Sequence, residues 1–244
     1  MGDVDRGRTI RWLARVAIGG QLAWLAFVAL GGLWEPGYSE TRDAVSFLGA
    51  GTAASPWVFN AVVAVVGLSV VALAIALWLD GPPGLRGWLG PVLIGLTGLA
   101  QVLAGFPFPA DCRETIDAGC HARELAGEVS WRHVAHGWAY FDGACALLLS
   151  TFAMAWRFRG DERWRGADLL ALAAGVSAIV IFAGLFFATG NDPEGHYGLV
   201  QRLALVAGLA WVAALALGLL DLYGCRRFFG SVRNTMSQIG EETP

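Results

Sequence analysis

Between Ser130 and Asp142 the chain reads Ser-Trp-Arg-His-Val-Ala-His-Gly-Trp-Ala-Tyr-Phe-Asp, which sets two imidazoles and a carboxylate at the mouth of an apolar run. His133 and His136 stand three residues apart, so a helix presents both on one face, with Tyr140 one turn beyond His136. Such a pair can ligate zinc, with His121, Asp111 or His196 as third donor and Ser46 beside the metal in the manner of a membrane hydrolase. The competing reading makes the histidines caps or hydrogen-bonded packing groups at a helix entrance. On that second reading the expected cofactor is none, and zinc belongs only to the first.

Asp142 lies about 13 Å along the helix from His133 at a rise of about 1.5 Å per residue. A turn of about 100° per residue puts it about 180° from His133 and about 120° from His136 around the axis. One helix therefore cannot bring the three together. A carboxylate inside an apolar segment is costly and needs a partner, a proton or a wet cavity. Three readings stay open: an ion pair with Arg202, a neutral packing group bonded to Asn60 or Gln101, or a desolvated acid that donates a proton.

Cys112 and Cys120 have seven residues between them in a polar segment, while Cys145 and Cys225 fall within and at the end of apolar runs. Thiols outside the cytosol pair, so a Cys112–Cys120 disulfide is expected; a metal site with His121 is the alternative.

The elements that must position these residues follow from composition. The chain has 244 residues, of which 56% are hydrophobic and 15% charged, against roughly 25% charged in a soluble domain, so lipid is the expected surrounding for most side chains. A net charge of −3 with no concentrated basic face excludes a nucleic-acid partner. Every cationic side chain other than histidine is Arg, a coding bias expected of a GC-rich bacterial genome.

Six segments are long and apolar enough to cross a bilayer: 12–33, 57–79, 88–106, 133–156, 169–189 and 199–223. The expected fold is an all-α, six-helix transmembrane bundle over 12–225, with a cytoplasmic N-terminus at 1–11 and a cytoplasmic tail at 226–244. The first run is too long for a signal-peptide core and reads as an uncleaved helix. Arg6, Arg8, Arg11 and Arg15, then Arg86, then Arg157, Arg159, Arg163 and Arg165, then Arg226, Arg227 and Arg233 fall on one face, which the positive-inside rule makes cytoplasmic. Localisation in a bacterial cytoplasmic membrane follows as an expectation.

Segments 34–56, 107–132 and 190–197 then lie outside, and the first two are long enough to suggest function. Within 34–56, Ser39 can cap a short helix whose first turn carries Glu40 and Asp43 and which Gly49 or Gly51 ends, with Val45, Phe47 and Leu48 turned toward lipid or protein. Trp12, Trp24, Trp34, Trp57, Trp78, Trp88, Trp131, Trp156 and Trp164 sit mostly near the ends of spans and read as interfacial anchors. Gly90, Gly95, Gly98 and Gly105 allow close helix packing, with a dimer interface as the alternative.

Several short pieces occur in a characteristic order: Ser46-Phe47-Leu48-Gly49, Trp57-Val58-Phe59-Asn60, Gly105-Phe106-Pro107 with Asp111, Ser130-Trp131 leading to His136, and Gly198-Leu199-Val200-Gln201-Arg202. In that order and placement the chain resembles the bacterial multi-pass membrane family known as domain of unknown function 998. The resemblance implies six membrane helices with polar marks gathered at one face, and no established activity. It implies that His136, Asp111, Asn60 and Arg202 are shared positions, whereas His133, His121, Asp142 and the Cys112/Cys120 pair are particular to this chain.

These readings converge on a polar pocket at the outer face, lined by Ser46, Asn60, Asp111, Ser130, His136 and Arg202, that binds or senses a lipid or small amphiphile. Arg202 is expected to engage an anionic headgroup and His136 to orient it. Membrane lipids are the expected partners, and the sequence leaves the oligomeric state open. The alternatives are a membrane enzyme, either a lipid hydrolase using His133 and His136 or an isoprenoid-type cyclase using Asp142, and a transporter. The transporter ranks last because neither broken helices nor an internal repeat is visible.

Overall fold

A computed structural model of the chain describes residues 3–191 and 196–224, with the side chains of Asp3, Phe182, Leu185–Asn191 and Gly224 left aside. The expectations for the tail 226–244, for Cys225 and for Asp192 and Glu194 lie outside the described residues. Among the described residues all regular structure is helical: α1 (Asp3–Leu30), α2 (Pro56–Asp80), α3 (Leu85–Gly105), α4 (Cys120–Leu125), α5 (Trp131–Phe158), α6 (Ala167–Asn191) and α7 (Tyr197–Gly224), with 3-10 turns at Gly31–Trp34, Val45–Gly49 and Glu162–Trp164. Five helices, α1, α2, α3, α5 and α7, are long and apolar enough to cross a membrane. The α6 helix is 25 residues long, and its stretch Ala167–Ile181 is apolar.

The helix starts follow local chemistry. Pro56 opens α2, where its missing N–H costs nothing, and the Ser130 hydroxyl accepts the His133 N–H at 3.3 Å to cap α5. The α1 helix extends back over the arginines to Asp3 and gives way after Leu30 to the turn holding Gly31 and Gly32, so its register runs ahead of the expected 12–33.

The six long helices pack as a closed ring. Each lies against the next in chain order, and α7 returns to α1. At one end of the ring lie the long connections 31–55 and 106–130, at the other the short ones. Ring closure needs close approach, and α2 and α3 achieve it at Gly67 and Gly98, where a Cβ on either would come 2.5 Å from the other's carbonyl oxygen.

Two apolar cores fill the ring. Ile10, Leu73, Leu77, Ile94, Met154, Phe158, Trp211 and Leu219 pack toward the short-loop end. Trp24, Val28, Val45, Leu48, Phe59 and Val63 pack under the long loops. Trp12, Trp34, Trp57, Trp78, Trp88, Trp131 and Trp156 are exposed as anchors should be, but Trp24 and Trp164 are buried and belong to the core.

The 34–56 connection departs from expectation. No helix forms after Ser39: Asp43 is buried and its carboxylate accepts the Ser39 N–H at 2.7 Å, which reverses the expected capping direction. The helical turn falls at Val45–Gly49 instead, and it dips into the bundle with Val45 and Leu48 buried. A carboxylate with several local donors competes well against helix formation, and two buried apolar side chains fix the turn where it lies.

Candidate functional site: a cavity inside the helix ring

The ring encloses a cavity of about 670 Å³ between α1, α2, α3, α5, α6 and α7, within the range of roughly 300–1,000 Å³ usual for small-molecule sites. Its walls are mostly apolar, with Trp24, Val66, Leu147 and Leu205 among them. Among the described residues no Asp, Glu, Lys or Arg lines it.

Gln21, Gln101 and His136 are among the residues that line it. Gln21 on α1 and His136 on α5 are 4% and 7% exposed, respectively, so each is effectively withdrawn from water. Gln21 Nε2, Gln101 Oε1 and His136 Nε2 are all buried without a hydrogen-bond partner among the described residues. Such buried, unpaired atoms cost free energy.

The His136 ring is positioned from its other side. Its Nδ1 lies 3.0 Å from the Ala104 carbonyl and 2.8 Å from the Phe108 carbonyl, both acceptors, so in the neutral ring Nδ1 carries the proton and donates. Nε2 is then left as a lone pair. Tyr140 meets the ring edge-on at a centroid distance of 4.9 Å and also lines the cavity.

The expected six-residue pocket separates into parts. Ser46 and His136 line the cavity. Asn60 is buried, does not line it, and donates to the Gly49 carbonyl at 3.3 Å, which holds the Val45–Gly49 turn on α2. Asp111 and Ser130 bond each other, Asp111 accepting the Ser130 N–H at 2.6 Å and its hydroxyl at 2.7 Å. Burial raises the Asp111 carboxyl, but these two bonds outweigh it and hold the group below the ordinary carboxylate range.

Arg202 is committed to the same protein. It forms an ion pair with Glu40 and donates to the Glu40 carbonyl, to Asp43 O and Gly198 O at 3.1 Å each and to the Tyr38 hydroxyl at 2.7 Å. Burial, set against the Arg202 charge, leaves the Tyr38 phenol pushed up to about 12. Gly198 permits this clamp, because a Cβ there would lie 2.4 Å from the Asp43 carbonyl oxygen. Gln201 beside it accepts the Val45 N–H at 2.7 Å. The expected pairing with Asp142 therefore does not form. Asp142 sits on the exposed outer side of α5, with no hydrogen bond or ion pair among the described residues. Arg202 faces the 31–55 loop because that loop offers it several acceptors at the start of α7.

The histidines also part. His121 bonds Glu114 at 2.6 Å. His133 Nδ1 accepts the Asp111 N–H at 3.0 Å, and its Nε2 lies 3.0 Å from Glu124. His136 points into the bundle, so His121, His133 and His136 do not form one ligand set. Two other groups bring potential metal donors together, Cys112 with Glu124 and His133, and Glu114 with His121 and Glu124. Cys112 in the first is bonded to Cys120, as expected from the compartment argument.

The long loops make a laced cap over the cavity. Arg113 pairs with Asp117 at 2.8 Å and with Glu35, Thr52 donates to Asp117, and Thr115 donates to Asp43 at 2.6 Å. The Arg113 hydrogen bond dominates at Asp117 and holds its carboxyl at about 2. At the opposite end, Asp80 is fully buried and accepts from Arg163 at 3.1 Å, Tyr223 at 2.8 Å, Arg157 at 3.0 Å and Trp164 at 3.3 Å.

Sequence reasoning missed Gln21 as a site residue and gave Gln101 only as a partner for Asp142. The signal was present, since an amide in an apolar span carries the same cost that drew attention to Asp142.

A ring of long apolar helices around a largely apolar cavity, with a polar cap on one end, defines a helical multi-pass membrane protein. The chain belongs to the family described as "Protein of unknown function (DUF998)", whose model matches residues 17–218 and so takes in α2 to α6 whole with the second half of α1 and most of α7. Comparison with curated proteins and with solved structures yields no match.

Proposed function

We propose that this protein binds a small membrane-borne amphiphile in the cavity of its helix ring. The observation that carries the reading is a largely apolar space of about 670 Å³ whose lining includes the polar side chains of Gln21, Gln101 and His136. An apolar body offsets the cost of the cavity walls, and the few polar side chains among them suit a polar end. Phe141 and Ser177 line the cavity and are themselves exposed, which supports entry from the side of the bundle between α5 and α6. In this reading Asp111, Ser130, Asn60 and Arg202 hold the cap in place and do not touch the ligand.

The membrane arrangement proposed with it has six crossings, α6 being the sixth, in the cytoplasmic membrane of a bacterium. The N-terminus and the 226–244 tail are cytoplasmic and the laced cap is outside. The arginines at the short-loop end support this orientation, as does the disulfide at the other.

Filling the space tests the function. Ala144 lines the cavity, and Ala144→Trp should occlude it. Mass spectrometry of protein released gently from membranes is expected to find an amphiphile bound to wild type and at least tenfold less on Ala144→Trp at unchanged helix content. Equal occupancy of both proteins overturns the proposal.

A further inference from the structure

We infer that the cap carries a site for a divalent transition-metal ion, with zinc the best fit, held by Glu114, His121 and Glu124. None of the three lines the cavity, so the site stands or falls independently of the binding reading above.

Local chain geometry builds it. The Cys112–Cys120 bridge closes the stretch between the two cysteines into a short loop, and Gly119, at a φ of 78°, turns the chain into α4. His121 and Glu124 stand three residues apart on α4 and so share a face. The loop carries Glu114 back to that face, where its Oε1 lies 2.6 Å from His121 Nδ1. One donor atom from each of the three residues lies within 4.8 Å of the other two.

Glu124 is aimed from behind. His133 Nδ1 accepts the Asp111 N–H at 3.0 Å, so in the neutral ring Nε2 carries the proton and donates to Glu124 Oε1, also at 3.0 Å. His133 is therefore a positioning residue and not a ligand, like the outer partners that orient metal-bound groups elsewhere. The side chains of His133 and Glu124 are 17% and 26% exposed, those of His121 and Glu114 60% and 45%. The set thus has one anchored carboxylate and two donors with room to turn. That room matters, because donors bound to a tetrahedral zinc stand about 3.4 Å apart, and rotation of the two exposed side chains closes the difference.

Electrostatics asks for a cation here. Two carboxylates approach each other, and among the described residues neither pairs with an arginine, since Arg113 beside Glu114 is spent on Asp117 and Glu35. A doubly charged ion offsets both. The imidazole then selects among such ions: calcium and magnesium take oxygen ligands, whereas a nitrogen with carboxylates suits zinc. Three protein ligands leave a fourth position for water on the exposed side.

Titration calorimetry of zinc, calcium and magnesium chlorides into the full-length protein in phosphatidylcholine nanodiscs, without reductant or affinity tag and with empty nanodiscs as blank, tests the site. Zinc is expected to bind at least tenfold more tightly than calcium or magnesium. His121→Ala and Glu124→Gln are each expected to weaken zinc at least tenfold, whereas Glu128→Gln, at an exposed carboxylate outside the set, should leave it unchanged. Hydrogen exchange supplies a second readout: zinc ties the loop to α4, so residues 113–125 should exchange more slowly with zinc in wild type and not in His121→Ala. A wild type that binds no zinc overturns the proposal. So does zinc binding that His121→Ala and Glu124→Gln leave intact, that Glu128→Gln weakens equally or that calcium matches, since each marks a merely acidic surface.

Discussion

Two buried polar residues at opposite ends of the bundle show how differently burial can be used. Asp80 spends its carboxylate on two arginines, an indole and a phenol, whereas His136 satisfies one ring nitrogen and leaves the other buried without a partner among the described residues. The first arrangement locks α2, α5 and α7 together with the Glu162–Trp164 turn. Removing the charge strands Arg157, which is 4% exposed and otherwise holds only the Leu77 and Gly87 carbonyls, at 2.8 and 3.3 Å. Breaking a buried pair by deleting one partner costs about 3–5 kcal/mol, so Asp80→Asn should lower the unfolding free energy by about that amount in a denaturant titration of detergent-solubilised protein. Arg163→Met should cost far less, because that side chain is about half exposed. The spacing of Asp80 from its partners, 77 to 143 residues along the chain, kept this cluster out of view in the sequence.

At the scale of elements, the cap is held by carboxylates whose pKa values are depressed, which fixes the sign of its response to acid. Hydrogen bonding from Arg113 chiefly holds Asp117 at about 2, against about 3.9 in an unfolded chain, so its contribution is complete above about pH 4 and vanishes as pH falls through about 2. At Asp43, burial pushes the carboxyl up, but the bonds from Arg42, Thr115 and Ser39 prevail and hold it low, so it acts in the same direction. Hydrogen exchange of residues 35–55 and 107–130 should therefore accelerate between pH 4 and pH 2, after correction for the intrinsic rate. In Asp117→Asn the same segments should be less protected at neutral pH and show a flatter acid dependence. The Ser39 helix expected from its capping pattern fails for a related reason. A pattern of a few residues cannot reveal that Asp43 will be buried beneath Thr115, a residue from the other long loop.

At the scale of the whole molecule, the closed ring turns six amphiphile-length helices into a container, and its orientation sets which side of the membrane the cap faces. Single cysteines introduced at Thr115 in the cap and at Arg86 between α2 and α3, in a background with Cys145 and Cys225 replaced by Ser, test that. A membrane-impermeant maleimide applied to intact cells should label the first and not the second. Labelling of Arg86→Cys alone reverses the topology, and equal labelling of both sites rejects an even separation of the loops. The segments of long apolar sequence, the exposed tryptophans at their ends and the Cys112–Cys120 bridge were all legible in the chain, because each depends on local composition, local spacing or compartment. The partners of Arg202, the outward turn of Asp142, the Asp80 cluster and the convergence of Gln21, Gln101 and His136 on one cavity depend on how the ring closes. Closure is set by side-chain contacts between helices far apart in sequence, such as Gly67 against Gly98, and such contacts have no one-dimensional signature.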